Sequence, residues 1–267
     1  MNYFEIQENS LIYRYNGETV RIKPWGNDSF RVESVFLGDI PEGEIALLPL
    51  NELLESANIS EKTSTSKSEY NPLNEAGISI TDDTHASITN GLIRAELKVE
   101  DWWKNLQISF VNSKTGKLLL KEISNGNALA LSPRTYIQQN GGGFEIKQSF
   151  ISDPNEKIYG MGQYQAERMN LKGTTLELAH RNSQCSIPFY VSSLGYGFLW
   201  HNAAIGSVTF GLDTTTWYAS CSQKIDYYIT AGNTPSDIVS NYMKATGLPP
   251  MMPEFGLGFW QCKLRYY

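Results

Sequence analysis

Short segments with alternating apolar and polar residues dominate the chain as far as Ala231. The first of them, Leu11–Tyr15, is followed by Asn16-Gly17 and by a second alternating segment, Thr19–Lys23. Alternation with a period of two is typical of a strand with one buried face, and Asn-Gly between two such segments favours a type I′ hairpin turn. The whole pattern predicts about seventeen short strands in an all-β sandwich of Greek-key or jelly-roll character, a mainly β fold.

The remaining predicted strands follow from the same reasoning. They are Ser29–Phe36, Gly77–Ile80, His85–Thr89, Leu92–Val99, Leu106–Asn112, Lys117–Lys121, Ala128–Leu131, Thr135–Gln139, Phe144–Phe150, Thr174–Ala179, Ser186–Ser192, Gly197–His201, Ile205–Leu212, Thr216–Cys221 and Lys224–Ala231. Asn90-Gly91 predicts a second hairpin turn. Gly160-Met161-Gly162 indicates a strand that bends close to its neighbours. Residues 51–76 lack the pattern, which predicts a long exposed loop with a short helical turn at Glu52–Ala57.

One helix is strongly indicated near the end of the chain. Thr234 is a typical N-cap, Pro235 suits the first helical position, Asp237 completes a capping-box pattern, and Gly247 is a typical stop.

A proline-containing linker and an apolar run, Phe255–Cys262, follow this helix. The run is short enough for a buried strand, and such a strand needs partners on both sides. We therefore expect a sandwich domain over residues 1–247, and in residues 248–267 the linker and first strand of something longer.

Composition narrows the classes of protein. The chain has 267 residues, 41% of them hydrophobic and 19% charged, which suits a folded soluble protein. Its net charge of −6 and the lack of a basic stripe argue against nucleic acid and anionic membranes as partners. No run of 18 apolar residues and no signal-peptide pattern is found, so we expect no membrane span and a cytoplasmic location. The 15 Tyr and 6 Trp are interpreted mainly as core residues.

The sequence has no clear pattern for a metal site, a disulfide framework or a cofactor site. The three histidines lie in different predicted elements, and three cysteines at long spacings fit neither a disulfide framework nor a zinc site. We expect no metal and no cofactor, and interpret Cys185 as a packed structural cysteine. The polar cluster His180–Gln184 precedes a strand, and such loops often carry ligand contacts, with Asn and Arg able to bond sugar hydroxyls. The alternative is an ordinary solvated turn.

Several short motifs, in their order along the chain, together resemble glycoside hydrolase family 31, the α-glucosidases and α-xylosidases. They are Pro24–Val32, Ile88–Ile93, Thr115–Leu119, Ile158-Tyr-Gly-Met-Gly-Gln163, His180–Asn202, Tyr227–Val239 and Leu248–Tyr267. The ending Phe259-Trp-Gln-Cys-Lys-Leu-Arg-Tyr266 is similar to that of bacterial α-xylosidase-like members. The resemblance covers nearly the whole chain.

The resemblance implies a galactose-mutarotase-like supersandwich followed by the first strand of a catalytic (β/α)8 barrel. The family's two catalytic aspartates lie on later barrel strands, so no catalytic residue is assigned to this chain, and we expect it to be inactive alone. Its expected partners are an oligosaccharide substrate and the remaining barrel segment of the same protein, and a homo-oligomer is left open.

The resemblance also implies substrate-binding residues. The family's charged loop contacts the sugar in the leaving-group subsite, commonly through an aspartate, and the matching residue here is Asn182, flanked by Arg181 and His180. Residues that follow a barrel strand lie at the catalytic face. Lys263, Leu264, Arg265 and Tyr266 are therefore candidate walls of the non-reducing-end sugar pocket, or else packing residues.

Three functional hypotheses follow. The first is the N-terminal portion of a retaining α-glycosidase that acts on α-linked gluco- or xylo-oligosaccharides. The second is a free-standing carbohydrate-binding β-sandwich module. The third is a mutarotase-like enzyme, which needs His180 or His201 within hydrogen-bond reach of an acid at a concave face.

Overall fold

The computed structural model describes residues 2–43, 46–49, 52, 77–100, 103–124, 132–165 and 167–261, in which two antiparallel sheets pack face to face. The elements are β1 (Phe4–Gln7), β2 (Ser10–Tyr15), β3 (Glu18–Pro24), β4 (Ser29–Phe36), β5 (Gly77–Ile80), β6 (His85–Asn90), β7 (Ile93–Val99), β8 (Leu106–Asn112), β9 (Leu118–Glu122), β10 (Arg134–Gln138), β11 (Phe144–Ile151), β12 (Ile158–Gln163), β13 (Thr175–Leu178), β14 (Cys185–Ser192), β15 (Tyr196–Trp200), β16 (Gly206–Phe210), β17 (Thr214–Ser222), β18 (Ile225–Ala231), the helix α1 (Pro235–Thr246) and a 3-10 helix (Glu254–Leu257). The predicted β-sandwich is confirmed. The predicted strand Ala128–Leu131 and the predicted loop 51–76, Glu52 apart, lie outside the described residues.

The strand order joins distant parts of the chain. The first sheet has the order β1-β2-β3-β4-β18-β15-β14-β12, and the second β13-β16-β17-β11-β9-β8-β7-β6-β5, with β10 paired to β11. In the first sheet, β4 pairs with β18 from Ser34↔Ile225 to Ser29↔Thr230. These two strands and β15 are buried almost throughout. The second sheet covers one face, and α1 contacts β15 and β18 on the other.

The turn residues form two hairpins as predicted, but the second turn starts one residue later than expected. Asn16 and Gly17 have φ values of 49° and 83°, which are the positive values that a type I′ turn requires at both positions. Asn90, in contrast, is the last residue of β6, and its buried amide donates to the carbonyl oxygens of Gly26 and Ser29 at 2.8 Å. The second turn therefore begins at Gly91.

Aromatic side chains fill the space between the sheets. Phe198 lies 5.2 Å from Trp217 and 5.1 Å from Tyr227, measured between ring centroids, and all three side chains are buried. Such pairs add to the free energy gained by burying apolar area. The interpretation of the aromatic residues mainly as core is confirmed for these positions.

Helix α1 packs on the outer face of the first sheet at β14, β15 and β18. Its buried residues Ile238 and Ala245 belong to a second, smaller core with Leu199, and Tyr242 stacks on Phe189 at a centroid distance of 3.8 Å. The predicted capping box is confirmed, because the Thr234 hydroxyl accepts from the Asp237 amide and the Asp237 carboxylate accepts from the Thr234 amide.

Replacing Thr234 with alanine should lower the free energy of unfolding by about 1 kcal/mol, because an orphan amide of the first helical turn loses its acceptor. Urea unfolding followed by circular dichroism measures the change. Ser236→Ala, at an exposed position of the same turn, is the matched control. Equal losses in both variants would show that the cap has no special role.

The apolar run that starts at Phe255 does not form the predicted strand. Its described part, residues 255–261, contains the end of the 3-10 helix and then no regular element, and Phe259 and Trp260 are 92% and 69% exposed. A buried strand is held by hydrogen bonds to neighbouring strands, and no strand pairs with this segment in the part of the chain that the structure describes. The prediction of a strand at Phe255–Cys262 is therefore wrong for residues 255–261, while Cys262 lies outside the described residues. The domain boundary at residue 247 stays a prediction.

The helices among the described residues are too short to span a bilayer. The longest among the described residues is α1, with 12 residues, and no described helix meets the length and hydropathy of a membrane span.

Candidate functional site

The polar loop, residues 179–184, crosses from one sheet to the other at the edge of the sandwich. It connects β13, the edge strand of the second sheet, with β14, which pairs with the edge strand β12 of the first. A tight turn closes the loop, because the Gln184 amide donates to the Arg181 carbonyl oxygen at 3.0 Å and Ser183 has a φ of 68°. The side chains of His180, Arg181 and Asn182 are all exposed.

Arg181 is committed to an acidic neighbour. Its Nε and Nη2 donate to the two carboxylate oxygens of Glu177 at 2.9 and 2.6 Å. These hydrogen bonds lower the pKa of Glu177 and raise that of Arg181. Exposed pairs contribute little to stability, but the bidentate geometry fixes the guanidinium plane and engages two of its five N–H donors.

Further hydrogen bonds hold the base of the polar loop. The Tyr164 hydroxyl donates to the Glu177 carbonyl oxygen at 2.8 Å and lies 2.8 Å from the Ser186 hydroxyl, and burial raises the pKa of Tyr164. The His180 Nδ1 accepts from the Ser186 amide at 3.4 Å. The Asn182 side chain has no hydrogen-bond partner among the described residues. The loop therefore presents an unpaired amide at its tip on a fixed base.

A bulge in β12 brings two backbones close together beside this loop. The φ values of Gly160, Met161 and Gly162 are all positive, at 124°, 71° and 91°, and the register with β14 shifts between the two glycines. A Cβ atom on Gly162 would lie 2.2 Å from the Cys185 carbonyl oxygen. The predicted close bend is confirmed, and glycine is required because only a residue without Cβ fits there.

His201 and an acid do meet, but inside the protein. The His201 Nδ1 lies 3.0 Å from the Asp226 Oδ2, while its Nε2 accepts from the amides of Ala46 and Leu47 at 2.9 and 3.3 Å. His201 and Asp226 are 2% and 1% exposed. An Nε2 that accepts two hydrogen bonds carries no proton, so the ring is neutral with its proton on Nδ1.

The cysteines give one correction. Cys185 and Cys221 are free and exposed, so the interpretation of Cys185 as packed is wrong. The end of β14 lies at the sheet edge beside the polar loop, where Cys185 pairs with Gln163 of an edge strand. No group of three or more potential metal ligands was found among the residues that the structure describes.

A known domain profile matches most of this sandwich. The glycosyl hydrolase 31 N-terminal galactose mutarotase-like domain matches residues 19–208. The chain belongs to glycoside hydrolase family 31. The resemblance found in the motifs is confirmed, and the sandwich is the mutarotase-like domain of that family.

Relatives with stated activities lie in the same family. An uncharacterised family 31 glucosidase of Pseudescherichia vulneris is 37% identical over 258 residues, which are 97% of this chain and 47% of the relative. α-Xylosidase A of Aspergillus niger is 30% identical over 272 residues, with 99% and 35% covered. The crystal structure of a family 31 α-xylosidase from a soil metagenome, complexed with xylose, has a TM-score of 0.84 and 38% identity, with 98% and 37% covered. The chain spans about half the length, or less, of these relatives.

The family 31 assignment leaves the predicted sugar contacts in two groups. Asn182, Arg181 and His180 lie together on the polar loop, and their contact with sugar stays a prediction. Leu264, Arg265 and Tyr266, with Lys263, lie outside the described residues and stay predictions.

The mutarotase-like alternative finds no support at either histidine. His201 contacts Asp226, but both are buried rather than placed at a concave face. His180 is exposed, and its observed hydrogen bond is to a backbone amide. Sequence reasoning missed the Arg181–Glu177 pair, because four residues of separation have no fixed meaning outside a helix.

Proposed function

We propose that this family 31 chain supplies the support domain and part of the leaving-group subsite of a retaining α-glycosidase that acts on α-linked xylo- or gluco-oligosaccharides. The observation that carries the proposal is the likeness to an α-xylosidase crystal structure over 98% of this chain. Two of the three relatives described above are named α-xylosidases, which supports α-xylosides, and the third is named a glucosidase, so α-glucosides belong to the same proposal.

Asn182 is the residue of the polar loop best placed to bind sugar. Arg181 is paired with Glu177, whereas the amide of Asn182 is exposed and can both donate to and accept from hydroxyl groups. An uncharged amide recognises a neutral sugar without the cost of desolvating a carboxylate. His180 flanks this contact.

The two catalytic carboxyl groups of the glycosidase are not among the residues proposed above to bind the sugar. A retaining glycosidase needs two carboxyl groups about 5–5.5 Å apart on either side of the anomeric carbon. We assign neither to this chain and expect it to be inactive alone. A reducing cytoplasmic location belongs to the same proposal, with the free thiols of Cys185 and Cys221 in its support.

The subsite is tested in a chimera in which this chain replaces the matching N-terminal part of the soil-metagenome α-xylosidase. Asn182→Ala should lower kcat/KM for isoprimeverose, which has glucose as the leaving group, about tenfold, the equivalent of one lost hydrogen bond. The same variant should change kcat/KM for nitrophenyl α-xyloside less than about twofold, because no sugar fills the leaving-group subsite.

Two further variants complete this experiment. Asn140→Ala removes an exposed amide from the turn before β11 and should leave kcat/KM for both substrates unchanged. Asn182→Asp should retain activity, because the side chain keeps an acceptor oxygen. Equal effects of Asn140→Ala and Asn182→Ala would contradict the subsite. Turnover of nitrophenyl α-xyloside or nitrophenyl α-glucoside by the 267-residue chain alone would contradict its inactivity.

A further inference from the structure

A groove opens between the two sheets at a position separate from the polar loop. Its volume is about 480 Å³, within the range of about 300–1,000 Å³ that is usual for small-molecule sites. One wall comes from β2, β3 and β4 of the first sheet and the other from β10 and β11 of the second. The lining residues are Tyr13, Tyr15, Asn16, Glu18, Phe36, Trp103, Asn105, Ser132, Arg134, Thr135, Tyr136, Ile137 and Lys147.

Aromatic faces form much of this groove. Trp103 is 52% exposed, Tyr15 is half-buried, and Tyr136 stacks on Phe36 with a centroid distance of 5.9 Å. The residue after Trp103 is anchored, because the buried Tyr13 hydroxyl donates to the Lys104 carbonyl oxygen at 2.5 Å. The backbone next to Trp103 and the Tyr136 ring are therefore held by contacts within the protein, and such preorganisation lowers the entropic cost of binding.

The floor of the groove cannot attract an anion. Arg134 is buried, and each of its three nitrogens already donates within the protein: Nε to Glu18 at 2.6 Å, Nη1 to Glu122 at 2.6 Å and Nη2 to the Leu106 carbonyl oxygen at 2.8 Å. Burial opposes its charge, but these two carboxylates offset that effect and raise the pKa of Arg134. The formal charges of Arg134, Glu18, Glu122 and the rim residue Lys147 sum to zero, and the Lys147 Nζ lies 5.9 Å from the centroid of the Tyr218 ring.

Polar groups for a neutral ligand do remain. The Glu18 side chain is 17% exposed, and its Oε1 accepts from Arg134 and from the Ser34 hydroxyl at 3.2 Å. Its Oε2 and the side-chain amide of Asn105 have no hydrogen-bond partner in the described part of the chain. A carboxylate oxygen and an amide beside aromatic faces can bind adjacent hydroxyl groups while a ring packs on the aromatic surface.

We propose that this groove is an accessory site for one glycosyl unit of a neutral oligosaccharide, distinct from the polar loop. The ring packs against Trp103 and Tyr15, and its hydroxyl groups bond to Glu18 and Asn105. The site does not depend on the proposed leaving-group subsite, because the two share no residue.

Saturation-transfer difference NMR on the 267-residue chain tests this site, with maltotriose and isoprimeverose as neutral probes and inorganic phosphate and glucuronate as charged competitors. Saturable binding in the millimolar range is expected for at least one neutral probe, without competition from the charged compounds. Trp103→Ala and Glu18→Gln should each weaken binding at least about fivefold. Trp260→Ala, which removes another exposed tryptophan, and Asn182→Ala should leave it unchanged.

Each alternative outcome overturns the proposal. No saturation by either neutral probe, or unchanged binding in Trp103→Ala, would exclude a sugar from the groove. Loss of binding in Asn182→Ala alone would assign the sugar to the polar loop, and competition by phosphate would contradict the neutral floor. Because Glu18→Gln removes an ion pair, its circular dichroism and thermal unfolding are measured first, and Trp103→Ala tests the site without touching that pair.

Discussion

Replacing Asp226 with alanine should lower the free energy of unfolding by about 3–5 kcal/mol. Asp226 is buried and accepts from Arg31 Nε at 3.0 Å, Arg31 Nη2 at 2.7 Å and His201 Nδ1 at 3.0 Å, with Lys224 Nζ 2.9 Å away. The substitution removes the acceptor of these buried donors, and that loss destabilises the fold. Glu33, 3.4 Å from the Arg31 guanidinium, still balances part of its charge. Urea unfolding at pH 7 measures the change.

The pH dependence gives a second readout for Asp226. Burial alone would raise its pKa, but hydrogen bonds from His201 and Arg31 and the positive charge of Arg31 hold the pKa well below the usual range. A folded-state pKa below the unfolded value of about 3.9 means that the carboxylate stabilises the fold above that pH and loses this effect as the pH falls further. Asp226→Ala should lack this component of acid sensitivity. Asp213→Ala, at an exposed position, is the control and should retain this acid sensitivity. If Asp226→Ala lowers the free energy of unfolding by less than about 1 kcal/mol, the role of the buried network is contradicted.

Replacing Gly162 with alanine should cost about 3 kcal/mol or more, because a steric clash and an unfavourable φ act together. The added Cβ would lie 2.2 Å from the Cys185 carbonyl oxygen and 2.8 Å from the Ile187 amide nitrogen. Both are backbone atoms of β14, so no change of rotamer relieves the contact. The strand next to the polar loop must move, and limited proteolysis should therefore cut faster within residues 179–184.

Gly173→Ala separates the two causes. Gly173 has a φ of 80°, close to the 91° of Gly162, but a Cβ there meets nothing within 4 Å. This control should lose only the backbone cost of about 1–2 kcal/mol. If the two variants are equally stable, close packing between β12 and β14 has no part in the effect.

Local patterns were enough to predict most strands. Alternation and turn residues act within a few positions, and so the hairpin at Asn16-Gly17 could be predicted. β1 was missed because only Phe4 of its four residues is buried, and its pairing with β2 makes it a strand. The strand predicted from Phe255 failed for the opposite reason, since an apolar run does not supply its own hydrogen-bond partners.

Of the two candidate sites, only the one made of consecutive residues could be predicted from the sequence. The polar loop was visible because its residues are consecutive. The groove was not, because Tyr15, Glu18, Trp103 and Arg134 are brought together only by the pairing of distant strands. The same holds for Arg31, which meets Asp226 across the β4–β18 pair.

The pairing of β4 with β18 also sets the order of events during protein synthesis. β4 ends at Phe36 and β18 begins at Ile225, so a ribosome adding about 5–20 residues per second needs roughly 10–40 s to make the chain between them. Throughout that time β4 has an unpaired edge, which is a template for pairing with other chains. Such non-local pairing also slows folding. The nascent chain is therefore most exposed to aggregation before β18 emerges, and chaperones would be needed most in that interval.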